Sequence, residues 1–137
     1  MIRERVFPNT LASVSEARHF AQDELTGIPK ARAEEIAVMV SELTTNSVSH
    51  AASEFTITIR RNADEVYIGV SDMGPGEPAL RTPRPTEALG RGLQIVRELA
   101  DHWGVIPAPN ASGKTVWFSV DLDGNGPRST RAYTNAD

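Results

Sequence analysis

The chain contains no cysteine, which excludes both a disulfide framework and a thiolate metal site. Its three histidines, His19, His50 and His102, are scattered, and this argues against a structural zinc site. No apolar run approaches the length of a membrane span. Met1 to Val6 lacks the apolar core of a signal peptide, so the expectation is a cytoplasmic protein with no membrane contact. Positive charge is in deficit. Fourteen Lys and Arg stand against 18 Asp and Glu, a net charge of -4. Charge-driven nucleic-acid binding needs a basic surface and is not expected, although a local basic patch could still hold one nucleotide. The 137 residues fit one domain with a real core.

Apolar periodicity divides the chain into elements. Ile2 to Phe7 alternates as a half-buried strand does. Val14, Ala17, Phe20, Ala21 and Leu25 recur at helical spacing until Gly27 stops the run. Pro29 opens a second helix, a position proline tolerates, which runs to about Ser49 with Ile36, Val40, Leu43 and Ser47 along one stripe. Phe55 to Arg60 and Val66 to Val70 read as a hairpin around the turn at Arg61 to Asp64. Asp72 to Leu89 holds Gly74, Gly76 and four prolines, which predicts an irregular loop, functional or mobile by its length. A short helix is predicted over Gly92 to Ala100, then strands at Trp103 to Ile106 and Lys114 to Leu122. After Asp123 the chain turns polar and reads as a disordered tail over 123–137. The order β-α-α-β-β-loop-α-β-β implies an α+β sandwich over 1–122, with helices on one face of a mixed, mostly antiparallel sheet.

Four polar constellations interrupt this pattern. Glu42 and Asn46 stand at i and i+4 on the second helix and share a face, with His50 continuing the line. Taken alone, they are better explained as a solvated helix edge with a C-terminal histidine complementing the helix dipole. Asp72-Met73-Gly74-Pro75-Gly76 follows a strand directly. The carboxylate would project from the strand end, and the glycines let backbone approach a ligand. Gly90-Arg91-Gly92-Leu93 is read as the opening of a helix, where free N–H groups make a phosphate site and Arg91 could add charge-assisted bonds. Gly113-Lys114-Thr115 looks like the end of a P-loop. Ala108 stands where that motif needs glycine, and the residues that follow alternate like a strand. The P-loop is therefore rejected.

Taken in order, Glu-x-x-x-Asn on a helix, Asp-x-Gly-x-Gly after a hairpin, a long loop, Gly-x-Gly at a helix start and Gly-x-Thr leading a strand resemble the GHKL (Bergerat-fold) ATPase superfamily. Within it, Glu42 to His50 and Gly90 to Gly104 resemble the bacterial anti-sigma factor serine/threonine kinases and their stand-alone relatives. The resemblance covers Ile2 to Asp121. It implies ATP and Mg2+ between the helical layer and the sheet. Asp72 would accept from the adenine amino group, a bond to a charged group worth about 1.5–3 kcal/mol. Gly74 and Gly76 would pass close to the base, and Thr115 would close that end. Asn46 would bind Mg2+ through its amide oxygen, with phosphates and water supplying the other ligands. The Gly90-Arg91-Gly92-Leu93 motif would cradle the phosphates. Arg81 and Arg84 are candidate phosphate contacts or solvated loop charges. Glu42 would be the general base, a role typically worth about 10²–10⁴-fold.

The partners implied are a sigma factor and a STAS-domain anti-anti-sigma protein. An ATP-binding regulator without kinase activity is the alternative. A histidine kinase catalytic domain is disfavoured, because the chain offers no helix pair for dimerisation and phosphoacceptance. Relatives often dimerise, and oligomeric state stays open. One departure stands out: some anti-sigma kinases carry an arginine shortly before the first glycine of Gly-x-Gly, whereas here Glu87, Ala88 and Leu89 occupy those positions.

Overall fold

Three runs of alternating residues in the middle and C-terminal parts of the chain set the sheet. The computed structural model describes residues 1–50, 53–73, 85–108 and 113–122, and for residues 50 and 85–91 the backbone alone. The elements are β1 (Ile2–Phe7), α1 (Leu11–Asp23), α2 (Lys30–His50), β2 (Phe55–Arg61), β3 (Glu65–Asp72), α3 (Pro85–Leu99), β4 (His102–Pro107) and β5 (Lys114–Asp121). The strands form one sheet in the order β1-β2-β3-β5-β4, and every pairing is antiparallel.

Alternation places Phe55, Ile57 and Ile59 of β2, Val66, Ile68 and Val70 of β3, and Val116, Phe118 and Val120 of β5 on the face toward the helices, all buried. Ala17 and Ala21 of α1, Ile36, Met39, Val40 and Leu43 of α2, and Leu93 and Val96 of α3 complete the core. Phe7 stacks on Phe55 at 5.5 Å and meets Phe20 edge-on at 5.8 Å, which ties β1 to the helices. The hairpin turn is chemically specified: the Asn62 side-chain oxygen accepts from the N–H groups of Asp64 and Glu65, at 2.7 and 2.9 Å. Gly27, at φ 85°, supplies the left-handed residue between α1 and α2.

The sandwich is as expected, with three corrections. The sheet is wholly antiparallel rather than mixed. In β1, Ile2 and Val6 face solvent and only Phe7 is buried. Pairing with Arg60 and Thr56 puts Ile2 and Val6 on the outer face, because the phase of an edge strand follows its neighbour's register. Third, α3 begins at Pro85 and not at Gly92. Proline is well suited to a first helical position, where its missing N–H is not needed. The remainder of the long loop, with Gly74, Gly76, Arg81 and Arg84, and the tail over 123–137, lies outside the described residues.

A charged cluster pins the far end of the helical layer. Asp101 is fully buried, accepts from the Asp121 N–H at 2.7 Å and stands 4.0 Å from Arg32. Glu35 lies one turn along α2 from Arg32. Burial pushes its carboxyl above the ordinary glutamate range of about 4.5; Arg32 lowers it and Asp101 raises it further. A carboxyl raised on folding stabilises the fold fully below its unfolded value, and that increment is lost as pH rises through the folded value. Glu35→Gln keeps the increment at every pH. Thermal melts of both proteins from pH 4.5 to 8 are therefore expected to show the variant gaining on the wild type as pH rises. A wild type that gains on the variant instead would mean that attraction to Arg32 outweighs burial.

Candidate functional site

The helix α2 divides its surface between two tasks. Ile36, Val40, Leu43 and Ser47 face the core, all less than 5% exposed. Glu42 and Asn46, one turn apart, lie on the half-buried flank beside α3. There α3 crosses so closely that a β-carbon at Gly92 would stand 2.6 Å from Asn46 Nδ2, with the Glu42 carbonyl oxygen and Cβ at 3.5 and 3.6 Å. Glycine at 92 is thus what lets the two polar residues of α2 and the Gly-x-Gly motif meet.

The next residue of α2 reaches a second corner. Ser47 Oγ donates to Asp72 Oδ2 at 3.3 Å. Asp72 ends β3 on the helix side, and its side chain is 2% exposed. Lys114 stands directly opposite on β5, and its Nζ donates to the same Oδ2 at 3.1 Å. A buried carboxylate without such partners would be costly. Gly113 presses on the same strand end: a β-carbon there would run into the Asp72 carbonyl oxygen and the Met73 backbone. Consecutive residues of one helix, Asn46 and Ser47, therefore link the Gly92 crossing to the Asp72 carboxylate.

Other expected site residues are placed differently. Thr115 lies on the opposite face of the sheet, its hydroxyl paired with Ser71 Oγ at 2.7 Å. Alternation carries Lys114, not Thr115, to the helix side. Leu93 is in the hydrophobic core. Gly90 and Arg91 are inside α3 and not at its start, so their amides fall past the first turn, where helix hydrogen bonds engage them. The phosphate cradle of free N–H groups anticipated there is not formed in this arrangement. His50 is the last residue of α2. Ser47 and Lys114 went unread as site residues. Ser47 sits on an apolar stripe, and Lys114 drew notice only through a P-loop that the sequence does not complete. Counting the alternation of β3 and β5 outward from their apolar centres would have set Lys114 beside Asp72.

A separate groove of about 440 Å³ lies on the outer face of the sheet, with Arg60, Tyr67, His102, Ile106 and Trp117 among its walls. Tyr67 and Trp117 stack at 5.7 Å, and the Arg60 guanidinium lies 4.7 Å over Tyr67. None of the residues around Asn46 or Asp72 borders it.

The site lies where three helices back one antiparallel sheet, with a Glu/Asn pair on α2 facing a glycine of α3 and a buried aspartate at a strand end. That is the arrangement of a GHKL-type ATPase. The sequence confirms it at family level: the histidine kinase-like ATPase domain family matches residues 7–120, and the chain belongs to that family. No curated protein matches the chain significantly. Family membership carries ATP binding with it. In this site, Asn46 has room beside Gly92 only while residue 92 lacks a side chain. Gly92→Ala gains helix propensity of about 1 kcal/mol but displaces the Asn46 amide. Its melting temperature is expected to stay within about 5 °C of wild type, while affinity for Mg-ATP falls about tenfold or more. Undiminished affinity would remove Asn46 from the nucleotide site.

Proposed function

We propose that this ATPase domain is a regulatory serine/threonine protein kinase that acts as an anti-sigma factor and phosphorylates a STAS-type anti-anti-sigma protein. The observation that carries the reading is the placement of Glu42 and Asn46 together on the flank of α2 that faces Gly92. Bound Mg-ATP supplies the transferable phosphoryl group. Asn46 would hold the metal through its amide oxygen. Among the described residues no group of three or more His, Cys, Asp or Glu could hold a metal ion. Phosphates and water would complete the shell, as magnesium readily accepts. Asp72 would take the adenine amino group as acceptor, oriented by Ser47 and Lys114. Glu42, one turn back from Asn46, would take the proton from the incoming serine hydroxyl. Such chemistry is mainly positioning and charge neutralisation, which suits a site with one carboxylate base and one metal-binding amide at the phosphates.

Partner switching then follows from charge. A phosphate on the STAS protein adds repulsion and desolvation cost at an interface that was tight without it. Each switching step requires that the kinase bind its partners with different affinity in different states.

A binding-only regulator is the second reading, favoured by one observation: α3 starts at Pro85, so the amides of Gly90 to Gly92 lie within the helix. Incubation with labelled ATP, magnesium and the STAS proteins of the same genome separates the two. The kinase reading expects transfer to serine by the wild type and a loss of about 10²-fold or more in Glu42→Gln, with ATP affinity retained. Equal transfer by both proteins overturns the role of Glu42. ATP binding without transfer to any STAS protein establishes the second reading.

A further inference from the structure

The three helices cover one face of the sheet, and the groove lies on the other. There Tyr67 leans along its own strand over Gly69, where an added β-carbon would stand 3.0 Å from the phenolic oxygen. Trp117 pairs with Gly69 from β5, and Arg60 pairs with Tyr67 from β2. β3 runs between those two strands, so the guanidinium at 4.7 Å and the indole at 5.7 Å take opposite sides of the phenol ring. Guanidinium, phenol and indole thus form a ladder across three strands. The ladder stops at Trp117, because the residue opposite it on β4 is Gly104, which has no side chain. His102 and Ile106 stand two residues to either side of Gly104 and share its face. Ser119, small and buried, lies between Tyr67 and His102.

Each feature specifies part of a ligand. The missing step beside Trp117 suits one more planar ring, since aromatic rings gain from offset stacking. His102 and the Ser119 hydroxyl flank that step and can accept from a ring N–H or O–H. The other end of the groove is charged. Glu65 stands two residues before Tyr67 on the same face, and Arg60 stands opposite Tyr67. A carboxylate and a guanidinium at one end match a molecule that carries one ammonium and one carboxylate. A plain cation or a plain anion would meet one like charge there. The volume of about 440 Å³ lies in the range that small ligands occupy.

We propose that this groove binds a free aromatic α-amino acid, with its ring on Trp117 and its zwitterionic head between Glu65 and Arg60. The site does not depend on the nucleotide reading. Calorimetric titration of the full chain with L-tryptophan tests it. Three comparison compounds are tryptamine, which lacks the carboxylate, indole-3-propionate, which lacks the ammonium, and N-acetyl-tryptophanamide, which lacks both charges as a peptide-borne ring does. L-tryptophan is expected to bind with a Kd below about 1 mM. The other three should each bind about 10- to 100-fold more weakly, the worth of one bond to a charged group. Gly104→Val, a residue suited to strands, fills the missing step and should weaken L-tryptophan about tenfold or more, with the Mg-ATP titration unchanged. Glu65→Gln should weaken L-tryptophan about as much and leave indole-3-propionate at its wild-type affinity. Both variants are checked for cooperative melting. No uptake of L-tryptophan at about 5 mM overturns the proposal. Equal binding of all four compounds does so too, since it marks a bare aromatic surface. Undiminished L-tryptophan binding by a folded Gly104→Val puts the ring elsewhere and also overturns it.

Discussion

The crossing of α3 over α2 is tight enough that residue 92 has no space for a side chain without moving Asn46. The rest of the site depends on that approach. Helix α2 is committed on its other side to the core through Ile36, Val40 and Leu43, so it cannot rotate to make room. The backbone of its flank residues Glu42 and Asn46 is consequently held in place by the core packing of the opposite side of the helix. A site built on the back of a core helix inherits the core's rigidity, which is what positioning chemistry requires.

The second constraint is electrostatic. Asp72 lies at the end of a strand, on the helix side and almost out of solvent. Two donors from two different elements, Ser47 of α2 and Lys114 of β5, meet one of its oxygens. This ties the sheet to the helix layer at the corner proposed for the base. The cluster of Arg32, Glu35 and Asp101 does comparable structural work at the opposite end of α2, where Asp101 also holds the Asp121 amide at the end of β5. The two buried carboxylates thus bracket the helix. One is enclosed by structure alone, and the other faces the corner read as the nucleotide's.

Much of this was legible in the sequence. Strict alternation in β2, β3 and β5 announced the sheet and its buried face, and the spacing of Glu42 and Asn46 announced a shared helix flank. The residues that misled did so for physical reasons. Pro85 read as loop because it is the last of four clustered prolines, yet a proline also begins helices, and the earlier start carried Gly90 and Arg91 into the helix interior. The Gly-x-Thr resemblance points to Thr115, while the two-residue period of the strand turns it to the far face and brings Lys114 inward. In β1, alternation was correctly seen but its phase was not, because an edge strand's register is set by a partner about 50 residues away.

Under the proposed function, one adenine nucleotide would sit between α2, α3 and the ends of β3 and β5, and not in the outer groove. That groove is of a size that small ligands use and carries stacked aromatic rings. Amide chemical-shift mapping of the labelled chain, titrated with a magnesium-bound non-hydrolysable ATP analogue, decides between the two faces. The largest changes are expected at Asn46, Ser47, Asp72, Gly92 and Lys114, with Arg60, Tyr67 and Trp117 unmoved. Changes centred on Tyr67 and Trp117, with Asn46 and Asp72 silent, would contradict it.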